Sequence, residues 1–347
     1  MNLDIALLLA QDGLTNGAIY ALLALALVLV FAVTRVIFVP QGELVAYSAL
    51  TLASLQLGKV PGTAWLLVAA GVAVALLDTI AALRDRRTRR LPAILGWNVV
   101  LPLVLLAAAR WLAPRQDSLW LQTLVTVAIV TALGPMLYRL AFQPLANASV
   151  LVLLIVSVAV HFVMTGLGLL AFGAEGSRTT PFSDARITAG TVTISGQSVF
   201  VIGASLVLIA ALWFFFEKTL YGKALRATAV NRLGARLVGI STTLAGKLTF
   251  LLAAAIGAVS GVLVAPITTI YYDSGFLVGL KGFVGAIIGG FASYPAAALG
   301  ALLVGLLESF SSFWASAFKE VIAFTLIIPV LLWRSFRTHH VEEEDEE

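Results

Sequence analysis

The 347-residue sequence contains no cysteine, and charged residues make up only 12% of it. The absence of cysteine excludes disulfides, thiolate chemistry and metal sites built on cysteine. A soluble globular chain has about 25% charged residues and about 45–50% apolar residues. This sequence is 60% hydrophobic, with a mean hydropathy of +1.01. The composition therefore predicts a polytopic helical membrane protein without a large soluble domain.

A phosphate-binding loop of the form G-x-x-x-x-G-K-[ST] is also missing. Such a loop cradles the phosphates of ATP with its backbone amides. If ATP drives this protein, its hydrolysis must therefore take place on a separate subunit. We accordingly expect a chain that is not an enzyme, with no catalytic residue, metal site or cofactor of its own and no nucleic-acid partner.

A helix that spans a membrane needs about 20 apolar residues. Eleven apolar runs are bounded by charges, glycine or proline, at about 17–33, 42–57, 65–83, 94–112, 119–138, 150–172, 198–216, 248–268, 276–292, 296–312 and 318–334. We therefore expect residues 1–337 to form an all-α transmembrane bundle with about 11 membrane segments. The runs 42–57 and 276–292 are short and contain glycine, which predicts broken or re-entrant helices buried in protein.

Several glycines are spaced four residues apart within these runs. Small residues at this spacing allow two helix backbones to approach closely inside a membrane. The spacing therefore predicts tight helix contacts at Gly13/Gly17, Gly257/Gly261, Gly275/Gly279 and Gly285/Gly289.

Basic residues are unevenly distributed over the connections between the runs. When alternate connections are assigned to opposite sides, one side collects 15 lysines and arginines and the other only 6. Basic loops of membrane proteins face the cytoplasm. This distribution predicts a periplasmic N-terminus and a cytoplasmic C-terminus. The last six residues are all acidic, so we expect 338–347 to be a disordered acidic tail.

Two connections are long. The outer connection, 173–197, has alternating residues on both sides of Ala189-Gly190, which predicts a small hairpin that caps the helices or docks an external protein. The inner connection, 217–247, has apolar residues at helical spacing, with basic residues on the other faces. This pattern predicts an amphipathic helix, either on lipid headgroups or against a cytoplasmic partner. Its apolar residues are Leu225, Ala229, Leu233, Leu237 and Ile240.

Five ionisable residues lie inside apolar runs, where they are costly and often mark a transport path. Asp78 is six residues before Arg84, the first arginine of the arginine-rich loop, and we expect a structural pair between them. Glu43 and Lys281 lie in the two short runs, where they either contact a zwitterionic solute or form an ion pair with each other. His161 and Glu308 complete the set. For His161, a hydrogen-bonded packing role and a path-lining role both remain open.

The inner connection resembles the cytoplasmic coupling segment of the permease subunits of ABC transporters for branched-chain amino acids. The resemblance begins at Gly222-Lys223-Ala224-Leu225-Arg226-Ala227 and closes at Gly239-Ile240. Leu233 stands where the family has a glutamate, which removes any contact made through that carboxylate. Three further segments are similar to the family in the same order: Asp12 to Glu43, Tyr138 to Ser149, and Gly275 to Phe310.

The resemblance implies a permease subunit in a bacterial inner membrane, in contact with membrane lipid. Its partners would be a periplasmic solute-binding protein, two cytoplasmic subunits that hydrolyse ATP, and a second permease subunit, either a related chain or a second copy. Three apolar runs lie between Tyr47 and Arg139, where the family typically has one. We therefore expect an extra helical pair within 60–138, packed at the periphery or in contact with lipid through its arginine-rich loop.

Two sets of candidate functional residues result. The first is expected to line the path of an amino acid or similar small polar solute: Tyr20, Gln41, Glu43, His161, Lys281 and Glu308. The second is expected to couple the chain to the ATPase subunits: Lys223, Arg226, Arg232, Leu233, Arg236 and Gly239. The alternative function is a secondary transporter that works on an ion gradient, with Glu43 or Glu308 as the carrier of a proton or cation.

Overall fold

The computed structural model describes residues 3–86, 88–115, 118–189 and 192–337. Over these ranges the chain is almost entirely helical, with one small hairpin between two long helices. The predicted acidic tail lies outside the described residues. The helices are α1 (Leu3–Thr34), α2 (Gln41–Gln56), α3 (Gly62–Arg84), α4 (Leu91–Leu95), α5 (Leu101–Leu112), α6 (Leu119–Leu137), α7 (Val150–Phe172), α8 (Gly196–Lys218), α9 (Leu220–Val230), α10 (Arg232–Leu237), α11 (Thr242–Val264), α12 (Ser274–Ile288), α13 (Tyr294–Trp314), α14 (Lys319–Thr325) and α15 (Ile327–Arg337).

Eight helical segments of the described chain are long and apolar enough to cross a membrane. They are α1, α3, α7, α8, α11 and α13, the segment Leu91–Leu112 formed by α4 and α5 with a π turn between them, and the segment Leu119–Leu145 that begins with α6. The three other predicted runs are the shorter helices α2 and α12 and the interrupted pair α14–α15. The polytopic all-α fold is therefore confirmed. The number of segments that cross the membrane stays a prediction.

The core of the bundle is α1, which packs against α11, α12 and α13. In its most apolar stretch of 18 residues, 89% of the residues are buried inside the protein. Gly13 and Gly17 allow this packing, because a Cβ atom at Gly13 would lie 2.8 Å from the backbone of Leu306 and one at Gly17 would lie 3.0 Å from that of Leu302. The other predicted pairs also make close contacts: Gly257/Gly261 with α2, Gly275/Gly279 with Gly42, and Gly285/Gly289 with Ala301 and Ala297.

The two short helices α2 and α12 cross each other at glycine. A Cβ atom on Gly42 would meet the carbonyl oxygen of Gly275 and would lie 2.9 Å from Cα of Gly279. Nearly all residues of α2 are buried. The packing of α2 between α11 and α12 encloses this helix in protein, as the short run predicts. The prediction that α2 does not fully cross the membrane stays a prediction.

The segment α4–α5 lies at the periphery, where it packs on α3 and α6. Asp78 of α3 accepts a hydrogen bond from Nε of Arg139 at 2.5 Å. The expected partner of Asp78 was Arg84, and that expectation is wrong. Arg139 follows α6 directly in the chain, so the pair joins α3 to α6. Spacing within one helix could not reveal a partner that lies 61 residues away.

The outer connection contains the predicted hairpin. Strand β1 (Arg186–Ala189) pairs antiparallel with β2 (Val192–Ser195), with Arg186 opposite Ser195. Gly196 begins α8 immediately after β2, and the Ser195 hydroxyl caps this helix by accepting a hydrogen bond from the Ser198 amide at 3.1 Å. The hairpin therefore lies at the N-terminal end of α8.

The inner connection is not the single amphipathic helix that its spacing predicts. It forms two short helices, α9 and α10, which are separated at Asn231. The Asn231 side chain accepts a hydrogen bond from the Gly234 amide at 2.7 Å and so starts a new helix. The predicted apolar stripe is divided by this break: Leu225 is buried, whereas Leu233 and Leu237 are 69% and 81% exposed.

Candidate functional site

Three of the predicted path residues form one buried cluster. Lys281 on α12 donates a hydrogen bond to Oε1 of Glu308 on α13 at 2.5 Å. The Tyr20 hydroxyl on α1 donates to the other carboxylate oxygen, Oε2, at 2.7 Å. The Lys281 ammonium also lies 5.6 Å from the centre of the Tyr20 ring. All three side chains are almost fully buried. The positive charge of Lys281 and the negative charge of Glu308 therefore compensate each other inside the protein, and the Tyr20 hydroxyl adds a hydrogen bond to the carboxylate.

This arrangement excludes one of the two alternatives for Lys281 and Glu43, the ion pair with each other. The helices α12 and α13 are consecutive in the chain and pack against each other, so Lys281 meets Glu308, 27 residues later. Glu43 has a different partner.

Glu43 lies near the start of α2 and is fully buried. Its Oε1 atom lies 2.6 Å from Nδ1 of His161 on α7, a contact that is an ion pair when the imidazole is protonated. The His161 ring also packs against Phe276 at 4.8 Å between ring centres. Gln41, the first residue of α2, donates through Nε2 to the carbonyl oxygen of Ala253 at 2.9 Å.

One stripe of α7 carries the contacts with the α2 region. It consists of Ser157, His161, Met164 and Gly168, which are all buried. Ser157 accepts a hydrogen bond from the Val39 amide at 2.9 Å, and the Tyr47 hydroxyl donates to the carbonyl oxygen of Met164 at 2.5 Å. The spacing of four, three and four residues keeps these groups on one helix face. His161 is thus packed at the α2–α7 contact, while its lining role stays a prediction.

A polar recess lies beside the Tyr20–Lys281–Glu308 cluster. It has two lobes, with cavity volumes of about 370 Å³ and 300 Å³. Asn16, Ile267, Glu308 and Lys319 border both lobes, so the lobes are adjacent. Small-molecule sites occupy about 300–1,000 Å³. The recess is therefore large enough for a small solute.

Asn16 and Lys319 were absent from the predicted path residues. Lys319 is the second residue of the last apolar run, 318–334, and a lysine at the end of a run is ordinary. The fold places it at the start of α14, next to α13, and so beside Glu308. Asn16 is a polar residue within the apolar α1, and that was the one available signal. Among the described residues, no cluster of three or more His, Asp or Glu side chains could hold a metal ion.

The predicted coupling residues lie together on α9, on α10 and just after α10. Arg226 donates to Oε2 of Glu217 at 2.8 Å, Arg232 to the carbonyl oxygen of Ala146 at 3.0 Å, and Arg236 to the Thr242 hydroxyl at 3.1 Å. These arginines therefore attach the segment to the rest of the chain. Lys223 and Leu233 are exposed.

Gly239 ends α10 in a conformation that favours glycine, with a φ of +85°. The Gly239 amide donates to the carbonyl oxygen of Arg236 at 3.0 Å, and the Ile240 amide donates to that of Ala235 at 2.9 Å. These bonds satisfy carbonyls at the helix end. Part of the exposed surface of the segment is apolar, because Val230, Leu233, Leu237 and Val238 are 69–86% exposed.

Comparisons with known proteins give one consistent result. The family model "branched-chain amino acid transport system / permease component" matches residues 103–331. The permease protein BraD of Pseudomonas aeruginosa, from a high-affinity branched-chain amino acid transport system, is 26% identical over 330 residues, covering 93% of this chain and 92% of BraD. LivH of Escherichia coli K12, from a system of the same description, is 26% identical over 332 residues, covering 92% and 91% of the two chains.

A probable LivH of Methanocaldococcus jannaschii is 28% identical over 229 residues, covering 60% of this chain and 71% of that protein. The family match and the eight long apolar helices of the described chain agree with each other. This chain therefore belongs to the family of branched-chain amino acid transport system permease components and is a multi-pass inner-membrane subunit of an ABC transporter.

Proposed function

We propose that this permease imports branched-chain amino acids or a similar small polar solute. A periplasmic binding protein delivers the solute, and two separate cytoplasmic subunits hydrolyse the ATP. One observation carries the proposal: the polar recess and the exposed coupling segment lie at opposite ends of α8. Ser198 at the start of α8 borders the recess, and α9 follows directly after the end of α8 at Lys218.

The proposed orientation has the recess at the periplasmic face and α9–α10 in the cytoplasm. The 15-to-6 distribution of lysine and arginine supports this orientation. It gives a periplasmic N-terminus, because Leu9 and Asp12 of α1 border the recess. It gives a cytoplasmic C-terminus by the same charge rule.

The proposed solute path runs along α1, α2, α12 and α13. The support is a set of buried ionisable or amide side chains on these helices, with His161 of α7 in contact with Glu43: Tyr20, Gln41, Glu43, His161, Lys281 and Glu308. Such groups in an apolar environment are typical of a transport path. The glycine contacts of α2 with α12 allow small shifts of these helices without steric obstruction by side chains.

The proposed coupling surface combines Lys223, Arg226, Arg232, Leu233, Arg236 and Gly239. The arginines position the segment through the contacts described above, and Leu233 with its apolar neighbours contacts the ATPase subunit. Closure of the ATPase subunits on ATP then favours one of two access states of the permease, because their affinity differs between the states.

Two further features are proposed from the family. A second permease subunit, either a related chain or a second copy, completes the transporter.

The segment 60–138 contains an extra helical pair with a packing role, and residues 1–337 form one permease domain. The peripheral position of α4–α5, which packs on α3 and α6, supports the packing role.

Reconstitution tests the function. Proteoliposomes would contain the permease, its partner permease and the ATPase subunits, with the binding protein and radiolabelled leucine on the side of the recess. We expect leucine accumulation that requires ATP in the compartment of the ATPase subunits. The family match favours this function over the ion-driven alternative. Accumulation driven by a proton or sodium gradient, in vesicles that contain the permease without ATPase subunits, would establish the alternative.

A further inference from the structure

We propose that the two-lobed recess is the site where the permease first holds the transported amino acid, with Lys319 contacting the α-carboxylate and Asp12 the α-ammonium group. This inference rests on the proposed function and adds the binding residues. It divides the six predicted path residues into two groups, because Tyr20, Lys281 and Glu308 border the recess, whereas Gln41, Glu43 and His161 do not.

The charges of the recess match a zwitterion. Lys281 and Glu308 neutralise each other, with Tyr20 as an additional donor to the carboxylate. Lys319 and Asp12 form no ion pair within the described chain. One cation and one anion without an ion pair, both at the border of the recess, offer partners to a carboxylate and an ammonium group, respectively. Both groups border the lobe of about 370 Å³.

The acidic side of the recess has additional members. Glu308 borders both lobes, and Glu320, which follows Lys319, borders the lobe of about 300 Å³. An α-ammonium group that moves from Asp12 towards Glu308 therefore remains next to a carboxylate. This continuity provides a first step from the outer face towards the buried cluster.

The second lobe also matches an aliphatic side chain. It is bordered by Val264, Ile267, Leu277 and Val278, beside Lys281 and Glu308. Binding sites for small molecules combine an apolar lining with a few polar groups that determine orientation. With its charged groups at Lys319 and Asp12, an amino acid can direct a branched side chain into this lobe. The geometry thus favours aliphatic amino acids over charged ones.

A photo-crosslinking experiment locates the site. The complete transporter in lipid nanodiscs is incubated with a leucine analogue that carries a diazirine in its side chain, and the modified peptides are identified by mass spectrometry. We expect adducts within 264–278, and excess leucine present during irradiation should prevent them. The assignment of the recess would be overturned if the adducts that leucine prevents lay only at Glu43, at His161 or in another subunit.

The charges are tested by Lys319→Gln and Asp12→Asn, each in the complete transporter in nanodiscs without the binding protein. Leucine, leucinamide and 4-methylpentanoate compete with the diazirine analogue. In the wild type, leucine should compete about tenfold better than either analogue, as one charged contact predicts. Lys319→Gln should remove the preference over leucinamide, which lacks the carboxylate. Asp12→Asn should remove the preference over 4-methylpentanoate, which lacks the ammonium group.

Lys59→Gln is the matched control, because Lys59 is an exposed lysine that does not border the recess. It should preserve both preferences. The site assignment fails if Lys319→Gln and Asp12→Asn behave like Lys59→Gln. If the wild-type transporter accumulates leucine with ATP while these variants retain both preferences, only the recess is wrong. If the wild type accumulates no amino acid with ATP, the proposed function itself is wrong.

Discussion

Lys281 and Glu308 form an ion pair of 2.5 Å between α12 and α13, and both side chains are nearly buried. Removal of one member leaves an uncompensated charge in the bundle, which costs about 3–5 kcal/mol. We expect Lys281→Met to lower the thermal stability of the purified permease strongly. Replacement of both members, Lys281→Met with Glu308→Leu, should recover most of that loss. Unfolding in detergent, followed by size-exclusion chromatography, measures the difference.

Tyr20→Phe provides the control for this pair, because it removes one hydrogen bond and leaves both charges in contact. The expected cost is about 1.5–3 kcal/mol, the contribution of a hydrogen bond to a charged group. A double variant as unstable as Lys281→Met alone would contradict the assigned compensation.

Gly42 permits the contact between α2 and α12. An alanine there would place its Cβ atom against the carbonyl oxygen of Gly275, and only backbone movement could relieve the overlap. We expect Gly42→Ala to destabilise the protein by at least about 1–3 kcal/mol, the usual cost of overpacking. The measurement is the same detergent unfolding assay.

Gly166→Ala is the matched control on α7. A Cβ atom at Gly166 has no neighbour within 4 Å, and alanine is favoured over glycine inside a helix by about 1 kcal/mol. This variant should be at least as stable as the wild type. Equal stability of the two alanine variants would show that α2 and α12 do not cross at Gly42.

The α2–α7 contact can be tested by disulfide formation, since the natural sequence has no cysteine that could interfere. The Val39 amide lies 2.9 Å from the Ser157 hydroxyl oxygen. In isolated membranes treated with an oxidant such as copper phenanthroline, we expect Val39→Cys with Ser157→Cys to form a disulfide. The two positions are in contact, and a disulfide requires Cα atoms within about 7 Å. A shift in mobility on a non-reducing gel detects it. The control combines Val39→Cys with Gly166→Cys on the same helix, and this pair of cysteines should remain reduced.

Leu233 and Leu237 are exposed at the predicted coupling surface, and neither side chain is covered by other residues of the described chain. We expect Leu233→Asp with Leu237→Asp to abolish stimulation of the ATPase subunits by the permease. The stability of the isolated permease should change by no more than about 0.5 kcal/mol, as is usual for surface substitutions. ATPase activity of the reconstituted complex and detergent unfolding of the permease measure the two effects.

Leu225→Ala is the contrasting variant, because Leu225 is buried on α9. It should destabilise the permease by about 2–5 kcal/mol through the cavity that it leaves. Arg232→Glu should also perturb the segment itself, since Arg232 attaches it to Ala146. Unchanged ATPase stimulation in the doubly substituted Leu233/Leu237 variant would rule out this face as the coupling surface.

Much of the architecture could be predicted because it depends on local composition. The apolar runs coincide with helices, and the alternation around Ala189 predicted a real hairpin. The glycine pairs predicted close helix contacts, because a four-residue spacing places both glycines on one face. The break at Asn231 was missed. A stripe of apolar residues indicates a helical period, but it does not show where one helix ends and the next begins.

The partners of charged residues were the least predictable feature. Asp78 pairs with Arg139 rather than Arg84, and Lys281 pairs with Glu308 rather than Glu43. These contacts depend on which helices are neighbours, and apolar periodicity carries no information about neighbours inside a membrane.

The amino-acid sequence alone determined that this protein is a membrane-embedded helical bundle. Its apolar runs are long enough to cross a bilayer, and only a helix lets each run satisfy its own backbone hydrogen bonds in lipid. Its motifs also indicated the family. Only the tertiary structure decided which ionisable residues meet and that Asn16 and Lys319 border a common recess with Glu308. The reason is physical: a buried charge is stabilised by whichever opposite charge the packing brings within reach, and packing joins residues that are far apart in the chain.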